Sequence, residues 1–142
     1  MKLRDIMTRS PVKIHPEETV AVAARMLTRY NIGALPVCRE DGKLCGMVTD
    51  RDLVTRCMAA ENAATGTRVG DVMTGRVISA TPDMELSTAA QLMGKEQIRR
   101  LPVVENGKLC GMVSLGDLAG QEQSNLVAGE ALSSISTNVS QR

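Results

Sequence analysis

The stretch Gly42–Leu53 reads GKLCGMVTDRDL, and nearly the same letters return at Gly107–Leu118 as GKLCGMVSLGDL. A second matching pair lies upstream, where Asp5–Thr8 reads DIMT and Asp71–Thr74 reads DVMT. Because both pairs occur in the same order and at nearly the same spacing, the chain contains an internal duplication. Each copy is short for a domain that folds alone, so we expect the copies to pack on each other and share one hydrophobic core.

Each copy is predicted to begin with a short strand and an amphipathic helix. The strand-like pieces are Val12–Ile14 and Val77–Ser79, and a proline follows each of them. Apolar residues then recur at helical spacing, at Val20, Ala23, Ala24, Leu27 and Tyr30 in the first copy and at Leu86, Ala89, Ala90 and Met93 in the second. This spacing predicts two helices, each with one buried face.

A hairpin is predicted after each helix. Leu-Pro-Val at 35–37 and at 101–103 leads to Asp41-Gly42 in the first copy and to Asn106-Gly107 in the second. Such dipeptides between apolar runs are typical of type I′ turns, which need positive φ at both central residues. The first copy carries one extra residue here, which predicts a bulged or longer turn.

The second hairpin strands, Leu44–Val48 and Leu109–Val113, run directly into Thr49 and Ser114, either of which can N-cap a helix. Each copy is therefore predicted to have the order β-α-β-β-α.

The predicted boundaries follow from the repeat. Residues 1–60 form the first repeat, 61–70 a linker rich in small residues, and 71–121 the second repeat. In 122–142, Ala128, Ala131, Leu132 and Ile135 form a weak helical stripe before a polar end. We expect a C-terminal helix followed by a frayed tail.

Composition argues against several classes of function. The 142 residues are 43% hydrophobic and carry a net charge of +1, and Tyr30 is the only aromatic residue. A broad basic face and an aromatic stacking surface are therefore both lacking, so a nucleic-acid partner is not expected. No apolar run is long enough to span a membrane or to act as a leader, and we expect a cytoplasmic protein with no membrane partner.

Metal binding and catalysis are not expected either. His15 is the only histidine, and the four cysteines, Cys38, Cys45, Cys57 and Cys110, lack the close spacing of a zinc site. Cys45 and Cys110 lie at equivalent places in apolar strands and are interpreted as buried, inert thiols. No triad or Walker-type phosphate loop is present, so no enzyme activity is predicted.

The chemistry of the chain is expected where strand meets helix, at Thr49-x-x-Asp52 and Ser114-x-x-Asp117. One interpretation is a capping box, in which the hydroxyl satisfies a free N–H and the acid complements the helix dipole. The other is a ligand site, in which the carboxylate accepts hydrogen bonds from a ribose diol. The motif alone leaves both open.

The ordered set of motifs, D-x-M-T, an amphipathic helix, L-P-V, a D-G or N-G turn and G-M-V-[TS]-x-x-D, present twice, resembles a pair of cystathionine-β-synthase (CBS) domains, the tandem called a Bateman module. The resemblance covers about residues 1–119. It implies an α/β (α+β) fold of two pseudo-symmetric repeats packed sheet to sheet with the helices outside. It also implies two clefts between the copies that take adenine nucleotides or S-adenosyl compounds.

The resemblance also implies which residues line each cleft. Cleft one would combine Thr49, Asp52, Val77, Ile78, Arg99 and Arg100. Cleft two would combine Ser114, Asp117, Val12, Lys13, Gly33 and Ala34. The aspartates would hold ribose, the hydroxyls and arginines phosphate, and the aliphatic side chains would flank adenine.

The two predicted clefts differ in charge. Guanidinium groups such as those of Arg99 and Arg100 suit phosphate oxygens, whereas the first copy has Gly33 and Ala34 at the corresponding positions. Cleft one is therefore predicted to prefer a phosphorylated ligand, and cleft two to bind more weakly, to take a nucleoside or S-adenosyl ligand, or to stay empty. The other interpretation of the arginine pair is a solvated helix end.

Two classes of function remain. The first is a stand-alone regulatory module without obligatory cofactor, which binds ATP, ADP, AMP or an S-adenosyl ligand and signals to an unidentified protein partner. The alternative is a dimerisation or protein-interaction module whose clefts are vestigial. In either case the family resemblance implies a homodimer formed through the helices.

Overall fold

The structure is a computed structural model that describes residues 1–121 and Ile135. The elements in chain order are a 3-10 helix at Leu3–Asp5, β1 (Thr8–Arg9), α1 (Val20–Tyr30), β2 (Ala34–Cys38), β3 (Leu44–Thr49), α2 (Asp50–Asp52) with a π-helical continuation at Leu53–Met58, α3 (Val69–Val72), α4 (Leu86–Glu96), β4 (Arg100–Glu105), β5 (Lys108–Ser114) and α5 (Leu115–Ala119). The predicted C-terminal helix and tail at 122–142 lie outside the described residues except for Ile135, which is helical and buried. The mixed α/β fold class is confirmed.

Helix α1 begins and ends at residues suited to those positions. The N–H of Val22 donates to Thr19 Oγ1 at 3.3 Å, and Asn31 closes the helix in the left-handed region with φ 51°. Val20, Ala23 and Leu27 are buried as predicted. The predicted buried face of α1 is wrong at two positions, since Ala24 and Tyr30 are exposed.

Helix α4 is the counterpart of α1 in the second repeat, and it ends at Gln97 with φ 59°. Its predicted apolar face is confirmed completely, since Leu86, Ala89, Ala90 and Met93 are all buried.

The two predicted hairpins form with equivalent registers. In β2–β3, Val37 lies opposite Gly46, and in β4–β5, Val103 lies opposite Gly111. The register shifts immediately after Val37 and after Val103, so each hairpin carries an irregularity at the same place. The bulge is therefore a feature of the repeat and not of the first copy alone.

The turns differ as the extra residue predicts. Asn106 and Gly107 have φ 54° and φ 80°, the two positive values that a type I′ turn requires. In the first copy only Gly42 is in this region, with φ 87°, and Asp41 Oδ1 accepts from the N–H of Lys43 at 2.9 Å.

The predicted first strands are wrong as strands. Ile14 forms a single parallel bridge to Val37, and the equivalent bridge of the second copy, to Val103, lies at Ala80, one residue beyond the predicted Val77–Ser79. Ile14 donates to Pro36 O at 3.0 Å, and its own carbonyl accepts from the N–H of Cys38 at 2.9 Å. Prolines on both sides of this segment, Pro11 and Pro16, limit the ladder to that single residue.

The chain divides into two compact units that do not coincide with the two sequence repeats. One unit comprises Met1–Pro11 and Ile78–Arg142, and the other comprises Val12–Val77. The opening segment of the first repeat therefore belongs with the second repeat, as β1 shows by pairing with β5 through Thr8 and Met112. The corresponding Thr74 makes the equivalent bridge to Met47 in the other unit.

Each unit has its own hydrophobic core, and each of these cores contains residues from both sequence repeats, whereas one core shared by the copies was predicted. One core contains Leu3, Leu86, Met93, Leu101, Val113 and Leu118, together with Ile135. The other contains Ile14, Val20, Leu27, Leu35, Val48, Cys57, Val69 and Val72. The two repeats therefore exchange segments. The residues that precede the long helix of each repeat complete the core of the unit formed mainly by the other repeat.

The segment predicted as a linker is hydrogen bonded to the start of α1. Val20 N donates to Thr67 O at 2.8 Å and Ala21 N donates to Ala64 O at 3.0 Å. Within residues 1–121 the structure contains no helix long and apolar enough to cross a membrane.

Candidate functional site

Thr49 and Asp52 form a complete capping box at the start of α2. Asp52 N donates to Thr49 Oγ1 at 3.1 Å, and Thr49 N donates to Asp52 Oδ2 at 2.9 Å. The structural interpretation of this motif is therefore confirmed. It uses one of the two carboxylate oxygens, so the capping role and a ligand role are compatible.

Ser114 and Asp117 repeat this geometry at the start of α5. Asp117 N donates to Ser114 Oγ at 3.0 Å, and Ser114 N donates to Asp117 Oδ2 at 2.9 Å. Among the described residues no hydrogen bond or ion pair occupies Asp117 Oδ1. The hydrogen bond from Ser114 N to Oδ2 fixes the orientation of this exposed carboxylate, so Oδ1 is a preorganised acceptor for a hydroxyl donor.

The two aspartates lie in different environments. Asp52 is 9% exposed, whereas Asp117 is exposed. Asp52 Oδ1 also lies 3.9 Å from Arg56 Nε, and the position four residues after Asp117 is Gln121, which carries no charge. The Thr49 and Ser114 sites therefore differ in the charge that surrounds their aspartate.

Arg99 and Arg100 lie directly beside the Ser114 cap. Arg100 is opposite Ser114 in the β4–β5 ladder, and Leu115 N donates to Arg99 O at 2.8 Å. Both arginines are exposed, and neither forms an ion pair within the described chain. The structure therefore brings two cations, a hydroxyl and a carboxylate to one end of the β4–β5 hairpin.

The equivalent end of the β2–β3 hairpin carries no such cations. Ala34 is opposite Thr49, and Asp50 N donates to Gly33 O at 3.1 Å. The predicted charge difference between the two repeats is thus present in the structure. The structure, however, associates the arginine pair with Ser114, whereas the predicted cleft one groups it with Thr49 and Asp52 of the other unit.

Four of the remaining predicted site residues lie where the chain passes from one unit to the other. Val12 and Val77 are half-buried in the unit that contains Thr49, Ile78 is half-buried in the unit that contains Ser114, and Lys13 is exposed. Both predicted clefts draw residues from the two units, and their grouping stays a prediction.

The cysteines have structural environments. Cys45 and Cys110 are half-buried rather than fully buried, and their thiols donate to Val37 O at 3.4 Å and Val103 O at 3.3 Å. Burial raises the pKa of the Cys38 thiol, with a smaller opposing effect of Lys13. In the part of the chain that the structure describes, no group of three or more His, Cys, Asp or Glu residues could hold a metal ion.

An open groove lies along the solvent-exposed face of α1. Its lining includes the half-buried Val22 and Met26, the exposed Tyr30, and two basic residues, Arg25 and Arg29. The guanidinium of Arg29 lies 5.7 Å from the centre of the Tyr30 ring. This surface combines apolar and cationic groups and bears on the predicted homodimer.

Arg56 lies beside the candidate site and was not among the predicted site residues. Its spacing of four from Asp52 on one helix was the available signal, since residues at i and i+4 share a helix face. Its hydrogen bonds to the distant Val72 and Met73 carbonyls could not be read from spacing.

The chain is a tandem-repeat α/β protein. Each of its two units contains an antiparallel hairpin that runs into a capped helix. The sequence model of the CBS domain matches residues 3–59 and 69–122. The chain belongs to the CBS domain family, and the predicted resemblance is confirmed.

Known relatives agree with this assignment. The chain is 43% identical over 134 residues to the CBS domain-containing protein YhcV of Bacillus subtilis (strain 168), covering 94% of each protein. Two solved structures are similar in fold and hold ligands. The CBS domain pair of protein MJ0100, in complex with 5′-methylthioadenosine and S-adenosyl-L-methionine, has a TM-score of 0.74 and 29% identity, covering 84% of this chain and 94% of that one. CBSX2 in complex with AMP has a TM-score of 0.75 and 29% identity, covering 84% and 93%.

Proposed function

We propose that this CBS pair is a regulatory module that binds an adenosine-containing ligand and carries no catalysis of its own. Its two capping boxes would supply the ribose acceptors, Asp52 and Asp117. The ligand class is supported by the AMP complex of CBSX2 and by the methylthioadenosine and S-adenosylmethionine complex of MJ0100. We further propose a cytoplasmic setting and an as yet unidentified protein partner that receives the signal.

The observation that carries this proposal is the arrangement at Ser114. A hydroxyl, an exposed carboxylate with one unoccupied oxygen, and the two exposed arginines meet at one end of the β4–β5 hairpin. A nucleoside monophosphate carries the complementary groups, since its ribose diol donates to a carboxylate and its phosphate pairs with guanidinium groups. The Ser114 end is therefore proposed as the phosphate-selective one.

The predicted counterpart at Thr49 would bind differently. It has Gly33 and Ala34 in place of the arginines, and Asp52 already has Arg56 nearby. With no cation at the positions equivalent to Arg99 and Arg100, this end favours an uncharged or cationic group next to the ribose, as in a nucleoside or an S-adenosyl compound.

Isothermal titration calorimetry with AMP and adenosine tests the assignment. Changing both arginines, Arg99→Gln with Arg100→Gln, should weaken AMP by about tenfold or more, which corresponds to about 1.4 kcal/mol. Adenosine binding should change little, because it lacks the phosphate. A matched control is Lys95→Gln with Lys108→Gln, which removes the same charge from exposed positions of the same unit. An equal loss for AMP and adenosine would contradict the phosphate assignment.

The groove on α1 supports a second candidate function, self-association. The exposed large hydrophobic residues of the unit Val12–Val77 are Tyr30, Val54 and Met58. Helix α1, which carries Tyr30, packs against the π-helical segment that carries the other two. We propose that a second copy of the chain covers this apolar surface. Tyr30→Glu should shift sedimentation equilibrium from dimer to monomer, whereas Ser87→Glu on the exposed side of α4 should not. A wild-type monomer at micromolar concentration would contradict this proposal.

A further inference from the structure

Arg56 contacts two parts of its unit that are distant in sequence. On one side its Nε lies 3.9 Å from Asp52 Oδ1. On the other, its Nη1 donates to Val72 O at 3.3 Å and to Met73 O at 3.1 Å. One guanidinium thus connects the candidate ribose acceptor to the carbonyls at the end of α3.

The segment that follows α3 is the route by which the chain leaves this unit. Thr74 N donates to Met47 O at 2.8 Å and Met47 N donates to Thr74 O at 3.0 Å, which fixes the segment along the edge of β3. The unit ends three residues later, at Val77. A change in the position of Arg56 therefore acts on the residues just before the chain crosses into the other unit.

A ligand hydroxyl bound to Asp52 would share Oδ1 with Arg56. Its Oδ2 accepts from Thr49 N at 2.9 Å, so Oδ1 is the oxygen left for a ribose hydroxyl, and Oδ1 is the oxygen nearest to Arg56. A hydroxyl that donates to Oδ1 offsets part of the carboxylate charge and so weakens the attraction between Asp52 and the guanidinium. Arg56 can then interact more strongly with the Val72 and Met73 carbonyls, since a guanidinium has five donors to distribute.

We propose that Arg56 is a coupling residue, which transmits occupancy of Asp52 to the segment Met73–Val77. This inference rests on the proposed binding of an adenosine ligand, and it adds to it the path by which binding changes the protein. The arrangement is asymmetric, because the residue corresponding to Arg56 in the second repeat is the uncharged Gln121. Signalling is assigned to the Asp52 end, and the arginine pair at the Ser114 end confers affinity for phosphate.

Hydrogen–deuterium exchange of the full chain, with and without saturating adenosine or S-adenosylmethionine, the ligand classes proposed for the Asp52 end, tests the coupling. Ligand should change the exchange rate of the Thr74 amide in the wild type by about fivefold or more, the lower range of typical coupling effects. In Arg56→Gln the ligand should still bind, as measured by calorimetry, but the change at Thr74 should disappear. Arg56→Lys keeps the positive charge but lacks the planar guanidinium, so the ligand-induced change in exchange at Thr74 should be intermediate.

Arg51→Gln is the matched control, since Arg51 is exposed on the same helix and should leave the response at Thr74 intact. Half of the Arg56 side chain is exposed, so its replacement should preserve the fold, and Arg56→Lys provides the test should Arg56→Gln unfold. A wild type that binds ligand without a change at Thr74, or an Arg56→Gln variant that keeps the change, would overturn the coupling and leave the proposed function standing. A wild type that binds AMP but neither of these ligands would overturn the coupling alone, and one that binds none of the three would overturn both.

Discussion

Met73 lies over Gly46 so closely that a Cβ at position 46 would be 2.5 Å from Met73 Sδ and 2.9 Å from the carbonyl oxygen of Thr74. Met7 has the same relation to Gly111, where an added Cβ would be 2.5 Å from Met7 Sδ. The methionine of each D-x-M-T motif therefore packs on the glycine of a G-M-V motif from the other repeat. These two contacts explain why both short motifs recur together.

Gly46→Ala should destabilise the protein by about 1–3 kcal/mol, because overpacking displaces Met73 and the Thr74 backbone. Chemical denaturation measures the difference, with Gly75→Ala as the control, since a Cβ there meets nothing within 4 Å. At Gly111 the three atoms nearest to an added Cβ all belong to the flexible Met7 side chain, whereas at Gly46 one of them is a backbone oxygen. Met7→Ala should therefore restore the stability of Gly111→Ala more fully than Met73→Ala restores that of Gly46→Ala. Equal stability of Gly46→Ala and Gly75→Ala would refute the close contact.

The exchange of opening segments predicts a large role for Leu3. Its side chain is fully buried in the core of the unit formed mainly by the second repeat, and its N–H donates to Met84 O at 2.9 Å. Leu3→Ala should cost about 2–5 kcal/mol in unfolding free energy, as for other buried leucines. The neighbouring exposed Lys2→Ala should cost far less. A loss below about 1 kcal/mol for Leu3→Ala would show that the segment is not part of that core.

Local features were predicted well from the sequence because neighbouring residues determine them. The Asn106-Gly107 turn, the caps at Thr49 and Ser114 and the buried face of α4 all follow from residue types within one or two turns of chain. The exchange could not be predicted, since the two D-x-M-T motifs are nearly identical and each is chemically compatible with either glycine. The hairpin that brings Arg99 and Arg100 beside Ser114 was predicted, but the arginines were grouped with Thr49 and Asp52 because that grouping followed the family resemblance and not the pairing of β4 with β5.

The capping boxes predict a stability effect that is separable from ligand binding. Thr49→Ala and Ser114→Ala should each lower the unfolding free energy by about 1 kcal/mol in ligand-free protein, since each removes an acceptor for a helix N–H. Thermal or urea unfolding without ligand provides the measurement, and Ser79→Ala at an exposed position is the control. An unchanged stability in both variants would mean that the caps are not formed in solution.

Cys38 should react slowly with thiol reagents in the native protein. It is 3% exposed, and its burial raises the pKa of the thiol, so less of the reactive thiolate is present at any given pH. Alkylation with iodoacetamide at pH 8, followed by peptide mass spectrometry, should label the half-buried Cys45 before Cys38. In urea the two should react at similar rates. Faster native labelling of Cys38 would contradict its buried environment.

Thermal unfolding of the purified chain with adenosine, AMP or S-adenosylmethionine is the most direct test of the regulatory proposal. A ligand at about 100 times its dissociation constant stabilises the folded state by about 2.7 kcal/mol, which should raise the midpoint by about 5–15 °C. We expect such a shift for AMP, and a smaller one in Asp117→Ala and in the Arg99→Gln, Arg100→Gln variant. Identical melting curves with and without every ligand would contradict it and favour the assembly function.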